Sequence, residues 1–168
     1  PNEYENNVNN NWYTNFIASW CLEFTKEVAD LLKESYATKY QELIAKIELD
    51  EKKEFNNWFH IVQNMHFPFS RKKKVFLQQD GFLDKEWKLA SDLSPEDRPI
   101  NQNWSWDRIL RSTFIKQADV LQGLYFFEHK FDNATIRRNF DFYEPITVHE
   151  SSLSPCIHSV LASRVGYK

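Results

Sequence analysis

A run of polar side chains precedes the start of the last predicted helix. The segment from His149 to Ser152, the HESS turn, comes shortly before Ser154 and Pro155, a pair typical of a helix N-cap and the first helical position. The free N–H groups and the positive dipole end of a helix attract anions. Hydroxyl groups and an imidazole at that place would complete a pocket for a phosphate-like group. The alternative interpretation is a polar turn that caps an ordinary helix.

Two further polar sites also lie at predicted helix starts. Glu3 and Glu5 fall in an asparagine-rich run over residues 1–11 that precedes a long helix, and Lys116 and Gln117 open another helix. In a helical barrel the starts of such helices lie together at one end of the barrel, so the three polar sites could form one pocket. A lysine such as Lys116 is otherwise more often a solvated residue than a ligand.

The elements that would position these side chains are helices. Apolar residues that recur at steps of three or four predict them over residues 12–36, 39–49, 50–65, 116–130, 133–143 and 155–166, and residues 104–112 are typical of a short helix or a turn. Residues 66–103 lack helical periodicity, and a connection of this length inside a compact domain is usually functional. The run Val75–Leu77 within it is compatible with a strand but too short to predict one. Helices that follow helices, without alternating strands, predict the all-α class.

The same periodicity identifies the side chains expected in the core. They are Trp12, Phe16, Trp20, Phe24, Val28 and Leu31; Tyr40, Leu43, Ile44 and Ile47; Phe55, Trp58, Phe59 and Val62; Val120, Leu121, Leu124 and Phe127; Ile136, Phe140 and Tyr143; Ile157, Val160 and Leu161. Gly123 costs on the order of 1 kcal/mol of helix propensity against alanine. A close contact between helices at Gly123 would explain that cost.

Composition and charge argue against several classes of protein. With 168 residues, of which 42% are hydrophobic and 16% aromatic, the chain can bury a core as one domain. Its net charge is -3 and no long run of one sign dominates, which argues against nucleic acid as the main partner. No apolar run approaches the length that spans a membrane, so no membrane partner is predicted.

The cysteines and histidines give neither a disulfide pattern nor a metal pattern. Cys21 and Cys156 fall in helical patterns, and we expect them to be buried apolar side chains in a reducing, cytoplasmic compartment. The five histidines lack the spacing of metal ligands, so no zinc site is predicted. Because the chain begins at Pro1 inside an asparagine-rich motif, we expect it to be a piece of a longer protein.

Three long motifs, in this order, resemble those of a known enzyme family. They are PNEYENNVNNNWYTN from residue 1, KQADVLQGLYFF from residue 116 and NFDFYEPITVHESSLSPCIHS from residue 139. Together they resemble the disaccharide phosphorylases of glycoside hydrolase family 65, and the likeness covers nearly the whole chain. The form of the first motif and the stretch PINQNWSWDRILRS from residue 99 favour maltose as the disaccharide.

The resemblance implies an (α/α)6 catalytic barrel between an N-terminal β-sandwich and a small C-terminal β domain. Residues 1–168 would be the C-terminal portion of that barrel, without either β domain. Glu3 would be the general acid, and its pKa would have to be raised, for which burial among aromatic side chains is one means. The remaining implied site residues are Lys116, Gln117 and Glu144 at the glucose that is cleaved, and His149, Ser151 and Ser152 at phosphate.

The implied reaction is the inverting phosphorolysis of maltose to β-glucose 1-phosphate and glucose. An inverting hydrolase needs a second carboxylate to activate water, whereas phosphate is already an anionic nucleophile and needs only the acid and an anion cradle. The alternatives are a phosphorylase or hydrolase of kojibiose, trehalose or nigerose, and a helical module that binds sugar or anions without catalysis.

The resemblance also implies the partners of the enzyme. They are the disaccharide, inorganic phosphate as co-substrate and, in the complete protein, a second copy in a homodimer. No metal ion and no organic cofactor is implied. We expect the isolated piece to be inactive, with the inward apolar faces of its helices exposed.

Overall fold

The computed structural model describes residues 3–167, and helices dominate them. The helices are α1 Trp12–Ser35, α2 Ala37–Ile47, α3 Glu51–Gln63, α4 Ile100–Asn103, α5 Trp106–Arg111, α6 Val120–Phe126, α7 Asn133–Tyr143 and α8 Ser154–Val165. Short 3-10 turns cover Phe82–Asp84, Ala90–Asp92, Pro95–Asp97, Glu128–Lys130 and Glu144–Ile146. The predicted all-α class is confirmed, since within residues 3–167 the only strands are two residues long each. None of the described helices is long and apolar enough to cross a lipid bilayer.

The chain divides into two compact units, and the smaller one comprises Asn15–His66. It holds most of α1 together with α2 and α3. Tyr40 is its buried anchor, and its hydroxyl donates to Glu51 Oε1 at 2.7 Å at the start of α3. Asp50 caps α3 by accepting from the backbone N–H of Lys53 at 3.1 Å. Side-chain capping and a local tyrosine–carboxylate bond therefore define the turn between α2 and α3.

Several side chains predicted to be buried in the smaller unit are not. Phe59 is 67% exposed and Leu31 is 59% exposed, and no residue of α3 is fully buried. The others that depart from the prediction are Phe24, Leu43 and Ile47, which are exposed, and Phe16, Trp20, Val28, Ile44, Phe55, Trp58 and Val62, which are partly buried. Amphipathic periodicity identifies a face that favours burial, but it does not show that the same chain supplies the surface to cover that face.

The larger unit comprises the described residues 3–14 and 67–167, and α6, α7 and α8 form its centre. The side chains predicted to be buried on α6 and α7 are confirmed, as are Ile157 and Leu161 on α8; Val160 is 42% exposed, and its prediction is wrong. Asn133–Tyr143 has the bounds that the sequence predicts, because Asp132 caps its first turn by accepting from Thr135 N at 2.6 Å.

The long connection before α4 is ordered by contacts with α1 and α7. Phe69–Ser70 (β1) and Val75–Phe76 (β2) form an antiparallel hairpin in which Phe69 pairs with Phe76. The ring of Phe76 stacks on Trp12 with centroids 4.8 Å apart. The hydroxyl of Tyr143 donates to Phe76 O at 2.8 Å, and Asn139 Oδ1 accepts from Phe76 N at 2.9 Å. The connection therefore anchors the start of α1 to α7.

Helix α6 begins later than the sequence predicts. The prediction covers residues 116–130, whereas the helix runs over Val120–Phe126. Ile115 instead pairs with Thr147 in an isolated parallel bridge, in which Ile115 N donates to Ile146 O at 3.0 Å. Lys116 and Gln117 thus lie in a bend that follows this bridge, not in the first turn of a helix.

The predicted burial of both cysteines is wrong. Cys21 on α1 and Cys156 on α8 are exposed free thiols. Each occupies a position at the edge of an apolar face, where periodicity alone cannot separate a buried side chain from a solvent-facing one.

The close contact expected at Gly123 is found. A Cβ atom added to Gly123 would lie 2.6 Å from Trp12 Cζ3 and 3.1 Å from Tyr13 Cδ2. Trp12 is 1% exposed and stacked on Phe76, so it cannot easily move away. The absence of a side chain at Gly123 therefore lets α6 approach the first turn of α1.

Replacing Gly123 with alanine should destabilise the protein by about 1–3 kcal/mol, because the added methyl group overpacks against Trp12. The loss should appear although alanine is the better helix former. Chemical denaturation of the purified protein measures the change, and Gln122→Ala in the same helix is the control. A Gly123→Ala protein as stable as the original would contradict the close contact.

Candidate active site

The first motif places Glu3 beside Lys116. The Lys116 ammonium forms an ion pair with Glu3 Oε2, and the lysine side chain is 18% exposed while that of Glu3 is 61% exposed. The structure thus brings together the predicted general acid and a predicted sugar-binding residue, 113 residues apart in sequence. Burial among aromatic side chains is one predicted means of raising the pKa of Glu3. The structure does not show that burial, since the side chain of Glu3 is 61% exposed.

Tyr4, the next residue, connects this motif to the HESS turn. Tyr4 is 1% exposed, and its hydroxyl donates to Glu150 Oε2. The two carboxylate oxygens of Glu150 also accept from Ile100 N at 2.9 and 3.0 Å. Burial, and then the hydrogen bond to the Glu150 carboxylate, raise the pKa of Tyr4 well above its usual range, so its hydroxyl stays a donor.

Glu5 is held in a separate, more deeply buried ion pair. Its side chain is 4% exposed and pairs with Lys85, which is 14% exposed. Lys85 Nζ also donates to Leu110 O at 2.7 Å. This carboxylate is therefore committed to an internal cation, which leaves Glu3 as the carboxylate of the first motif that faces solvent.

Gln117 presents an unsatisfied acceptor next to Lys116. Its Oε1 atom is buried and has no hydrogen-bond partner within the described residues. A buried carbonyl oxygen without a partner costs about 1–3 kcal/mol, and such atoms commonly await a ligand or water. A sugar hydroxyl is a donor that would satisfy it.

Glu144, His149 and His158 form a compact cluster at the other side of the HESS turn. Glu144 lies in the 3-10 turn that follows α7, and its Oε2 contacts His158 Nδ1 while its Oε1 lies 3.5 Å from His149 Nε2. The two imidazole rings are edge to face, with centroids 4.6 Å apart. Hydrogen bonds from His149 and from His158 lower the pKa of Glu144 to about 2, so this carboxyl is an anion at neutral pH.

The HESS turn differs in detail from the predicted helix cap. Helix α8 begins at Ser154, and Leu153 occupies the N-cap position without a side-chain cap. The Ser154 hydroxyl instead lies 2.9 Å from His149 Nδ1, and His149 adopts a left-handed backbone with φ of 56°. The prediction of Ser154 as N-cap is therefore wrong, because its oxygen is engaged by the imidazole. Pro155 was predicted at the first helical position, and because the helix begins at Ser154 it occupies the second position instead.

The serines of the turn stand at the start of α8. Ser151 Oγ accepts from Leu153 N at 3.3 Å, and Ser152 is exposed. A cavity of about 240 Å³ lies beside His149 and the first turns of α8, and neither Ser151 nor Ser152 lines it; its lining residues are Phe140, Glu144, His149, Pro155, His158, Ser159, Ala162 and Tyr167. The turn therefore offers hydroxyls and an imidazole at a helix N-terminus, the chemistry that binds anions.

The cluster of Glu144, His149 and His158 also has the side-chain types of a metal site. One ligand atom from each residue lies within 4.8 Å of the other two. Sequence spacing gave no sign of it, because Glu144 reaches the two histidines from a different element. Both carboxylate oxygens already face imidazole nitrogens, so the residues have an internal arrangement that accounts for their proximity.

The match to family models identifies the chain. The family model described as "Glycosyl hydrolase family 65 central catalytic domain" matches residues 1–168. The chain belongs to glycosyl hydrolase family 65. The family resemblance seen in the sequence motifs is thereby confirmed.

Relatives in family 65 share the chain over almost all its length. It is 52% identical over 166 residues to maltose phosphorylase of Bacillus subtilis (strain 168) and 39% identical over 168 residues to α,α-trehalose phosphorylase of Thermoanaerobacter brockii. It is 37% identical over 166 residues to kojibiose phosphorylase of Halothermothrix orenii. These matches cover 98%, 99% and 99% of the chain but 21% of each relative, so the chain spans about a fifth of their length.

A solved structure from family 65 has the same fold. It is assigned as a kojibiose phosphorylase from the human microbiome, is 35% identical and superposes with a TM-score of 0.89. The match covers 99% of this chain and 22% of that one. Together with the family model, it identifies the chain as an all-α part of the (α/α)6 catalytic domain.

Three residues that organise the site were missed by sequence reasoning. They are Lys85, the partner of Glu5; Glu150, the acceptor of Tyr4; and His158, the partner of Glu144. Glu150 and His158 fall inside the third motif, so the motif predicted that their segment belongs to the site. It did not predict that they contact Tyr4 and Glu144. Nothing in the sequence around Lys85 signals its pairing with a residue 80 positions earlier.

Replacing Glu144 with glutamine should destabilise the protein in a pH-dependent way. The pKa of Glu144 falls from its usual value near 4.5 to about 2, so its stabilising contribution is present above pH 4.5 and is lost as the pH falls towards 2. The upper limit at neutral pH is about 3 kcal/mol. Unfolding free energies of both proteins at pH 6, 5, 4 and 3.5 should converge as the pH falls.

The exposed residue Glu96 gives the control, because Glu96→Gln removes the same charge without an imidazole partner. A Glu144→Gln deficit that stays constant from pH 6 to 3.5 would show that the carboxylate charge contributes nothing.

Proposed function

We propose that this chain is the C-terminal portion of the catalytic barrel of an inverting maltose phosphorylase. The observation that carries the proposal is the convergence of Glu3, Lys116 and the HESS turn in one compact unit. The 52% identity to a maltose phosphorylase, against 39% and 37% to relatives that act on trehalose and kojibiose, supports maltose as the substrate. The two flanking β domains would be encoded outside this chain.

Two contacts keep the acid and the anion cradle close together. The bond from Tyr4 to Glu150 joins the neighbours of Glu3 and His149. The bridge between Ile115 and Thr147, with Val148 N donating to Ile115 O at 2.9 Å, places Lys116 beside the start of the HESS turn. The proposed acid, the sugar-binding pair and the phosphate cradle would therefore act on one bound disaccharide.

In the proposed reaction a phosphate oxygen attacks the anomeric carbon of the cleaved glucose. The bond from that carbon to the glycosidic oxygen breaks, and Glu3 donates its proton to the departing oxygen, which leaves as the hydroxyl of free glucose. Lys116 and Gln117, with Glu144 nearby, would hold the cleaved glucose. His149, Ser151 and Ser152 would hold phosphate on the opposite face, so one inversion gives β-glucose 1-phosphate. Inorganic phosphate is the co-substrate, and the proposal includes no cofactor.

The ion pair between Glu3 and Lys116 fits this order of events. In the free site the ammonium contacts the carboxyl group of Glu3. A glucose hydroxyl that engages Lys116 would draw the ammonium away, and the carboxyl group of Glu3 would then be free to face the glycosidic oxygen. The pair would therefore couple sugar binding to release of the acid.

The complete protein should convert maltose to β-glucose 1-phosphate only when inorganic phosphate is present. Product analysis by anion-exchange chromatography, with and without phosphate, measures this. Glu3→Gln should lower turnover by about 10²–10⁴-fold, the range for loss of a general acid. The 168-residue piece on its own should be inactive, because residues supplied by the rest of the barrel would be missing.

Each other outcome selects a different function. Free glucose at the same rate with or without phosphate would identify a hydrolase. Turnover of kojibiose, nigerose or trehalose in place of maltose would preserve the mechanism and correct the substrate. Binding of sugar without any turnover, unchanged by Glu3→Gln, would indicate a module without catalysis.

Replacing Ser151 and Ser152 together with alanine should raise the KM for phosphate by about 10- to 100-fold, the effect of losing a hydrogen bond to an anion. The KM for the disaccharide should change less than about twofold. Steady-state kinetics with each substrate varied in turn gives both values, and Ser163→Ala on the exposed side of α8 is the control. Equal rises in both KM values would remove these serines from the phosphate cradle.

A further inference from the structure

His158 has no task in the reaction described above, although it lies at the centre of the cluster. It is 4% exposed, and Nδ1 faces Glu144. Its second ring nitrogen, Nε2, is buried without a hydrogen-bond partner within residues 3–167. An apolar ring of similar size would avoid that cost of about 1–3 kcal/mol. What offsets this cost is the contact of Nδ1 with Glu144, which an apolar ring could not make.

A second unfavourable feature lies a few ångströms away. His149 has a left-handed backbone, a conformation that costs a residue with a side chain of order 1–3 kcal/mol and persists where the surroundings hold it in place. Two contacts hold this imidazole: Ser154 Oγ lies 2.9 Å from Nδ1, and Glu144 Oε1 lies 3.5 Å from Nε2. Strain and an unsatisfied nitrogen within one cluster are typical of a functional site.

Glu144 presents an electrostatic problem for an anion site. It is an anion at neutral pH, and it lines the same cavity of about 240 Å³ as His149. A phosphate dianion in contact with His149 would be repelled by the Glu144 carboxylate if nothing screened that charge. The repulsion would be strong because the two negative charges would share one cavity that is partly shielded from water. The imidazole of His158 is the group placed against the other side of the carboxylate.

We propose that His158 is a positioning residue whose Nδ1–H engages and screens the Glu144 carboxylate, so that His149 and the HESS turn can accept a phosphate dianion. The inference rests on the proposed phosphate site, and it assigns Glu144 and His158 to the phosphate subsite rather than to the sugar alone. On phosphate binding, His149 Nε2 would turn its N–H from Glu144 Oε1, 3.5 Å away, to the phosphate. Glu144 would then keep its orientation through His158 alone.

The test measures binding of inorganic phosphate to the complete protein by calorimetry, together with the two KM values. His158→Phe keeps a buried ring but removes the donor to Glu144, and it should weaken phosphate binding at least tenfold. The KM for the disaccharide should change less than about twofold. His158→Asn places an amide N–H near the same carboxylate oxygen and should recover part of the loss. The exposed residue His129, changed to asparagine, is the matched control.

A double substitution separates electrostatic screening from a merely structural role. Adding Glu144→Gln to His158→Phe removes the negative charge, so the double variant should bind phosphate more tightly than His158→Phe alone. A structural role predicts the opposite, since two changes in one cluster should disturb it more than one. Thermal unfolding of each variant identifies any that fails to fold, and His158→Asn then provides the comparison.

The outcomes distinguish this inference from the proposed function. Phosphate binding that is weakened by Ser151→Ala and Ser152→Ala but unchanged by His158→Phe overturns the role of His158 and preserves the cradle. A double variant no better than His158→Phe also overturns it. An unsubstituted protein that neither binds phosphate nor depends on it overturns both proposals.

Discussion

The geometry of the site depends on one carboxylate that three segments share. Glu150 accepts from the Tyr4 hydroxyl and, with both oxygens, from the backbone N–H of Ile100. A carboxylate removed from water is tolerated when it is hydrogen bonded and is costly when it is not. Separation of the segments would remove the Tyr4 hydroxyl and the Ile100 N–H from Glu150 at the same time. Because Glu3 precedes Tyr4 and His149 precedes Glu150, this one set of bonds holds Glu3, the proposed acid, near the HESS turn.

Carboxylates of one chemical type acquire different roles from their partners. Glu5 is neutralised by Lys85 in a nearly buried pair, and Glu144 is stabilised as an anion by two imidazoles. Glu3 faces solvent and pairs with Lys116, a cation that a substrate can reach. A structural carboxylate has to keep its charge, whereas a general acid has to gain and lose a proton during turnover. Of these three carboxylates Glu3 is the most exposed, at 61% against 4% for Glu5 and 27% for Glu144. This exposure fits the role proposed for it, since a general acid has to meet the substrate.

Local signals in the sequence predicted part of this fold well. Helix α7 has its predicted bounds because an aspartate cap and regular apolar spacing act within the helix itself. The predicted start of α6 is wrong because Ile115 pairs with Thr147, and because the buried Asp119 carboxylate accepts from Asn11 Nδ2 at 3.1 Å. Those partners lie far away in sequence, so propensity had no information about them. The exposed faces of α2 and α3 have the same explanation, since periodicity identifies a face but not the surface it packs against.

The residue types of the site were visible in the motifs, but the contacts among them were not. A cap was predicted at Ser154 because serine before proline satisfies a helix start at low cost. The chain instead engages that hydroxyl with His149, whose backbone is left-handed, and α8 has no side-chain cap. A turn optimised for stability alone would reverse both features. The helix start therefore has less local stability than a capped one but a fixed imidazole, which fits the proposed anion site at the end of this helix.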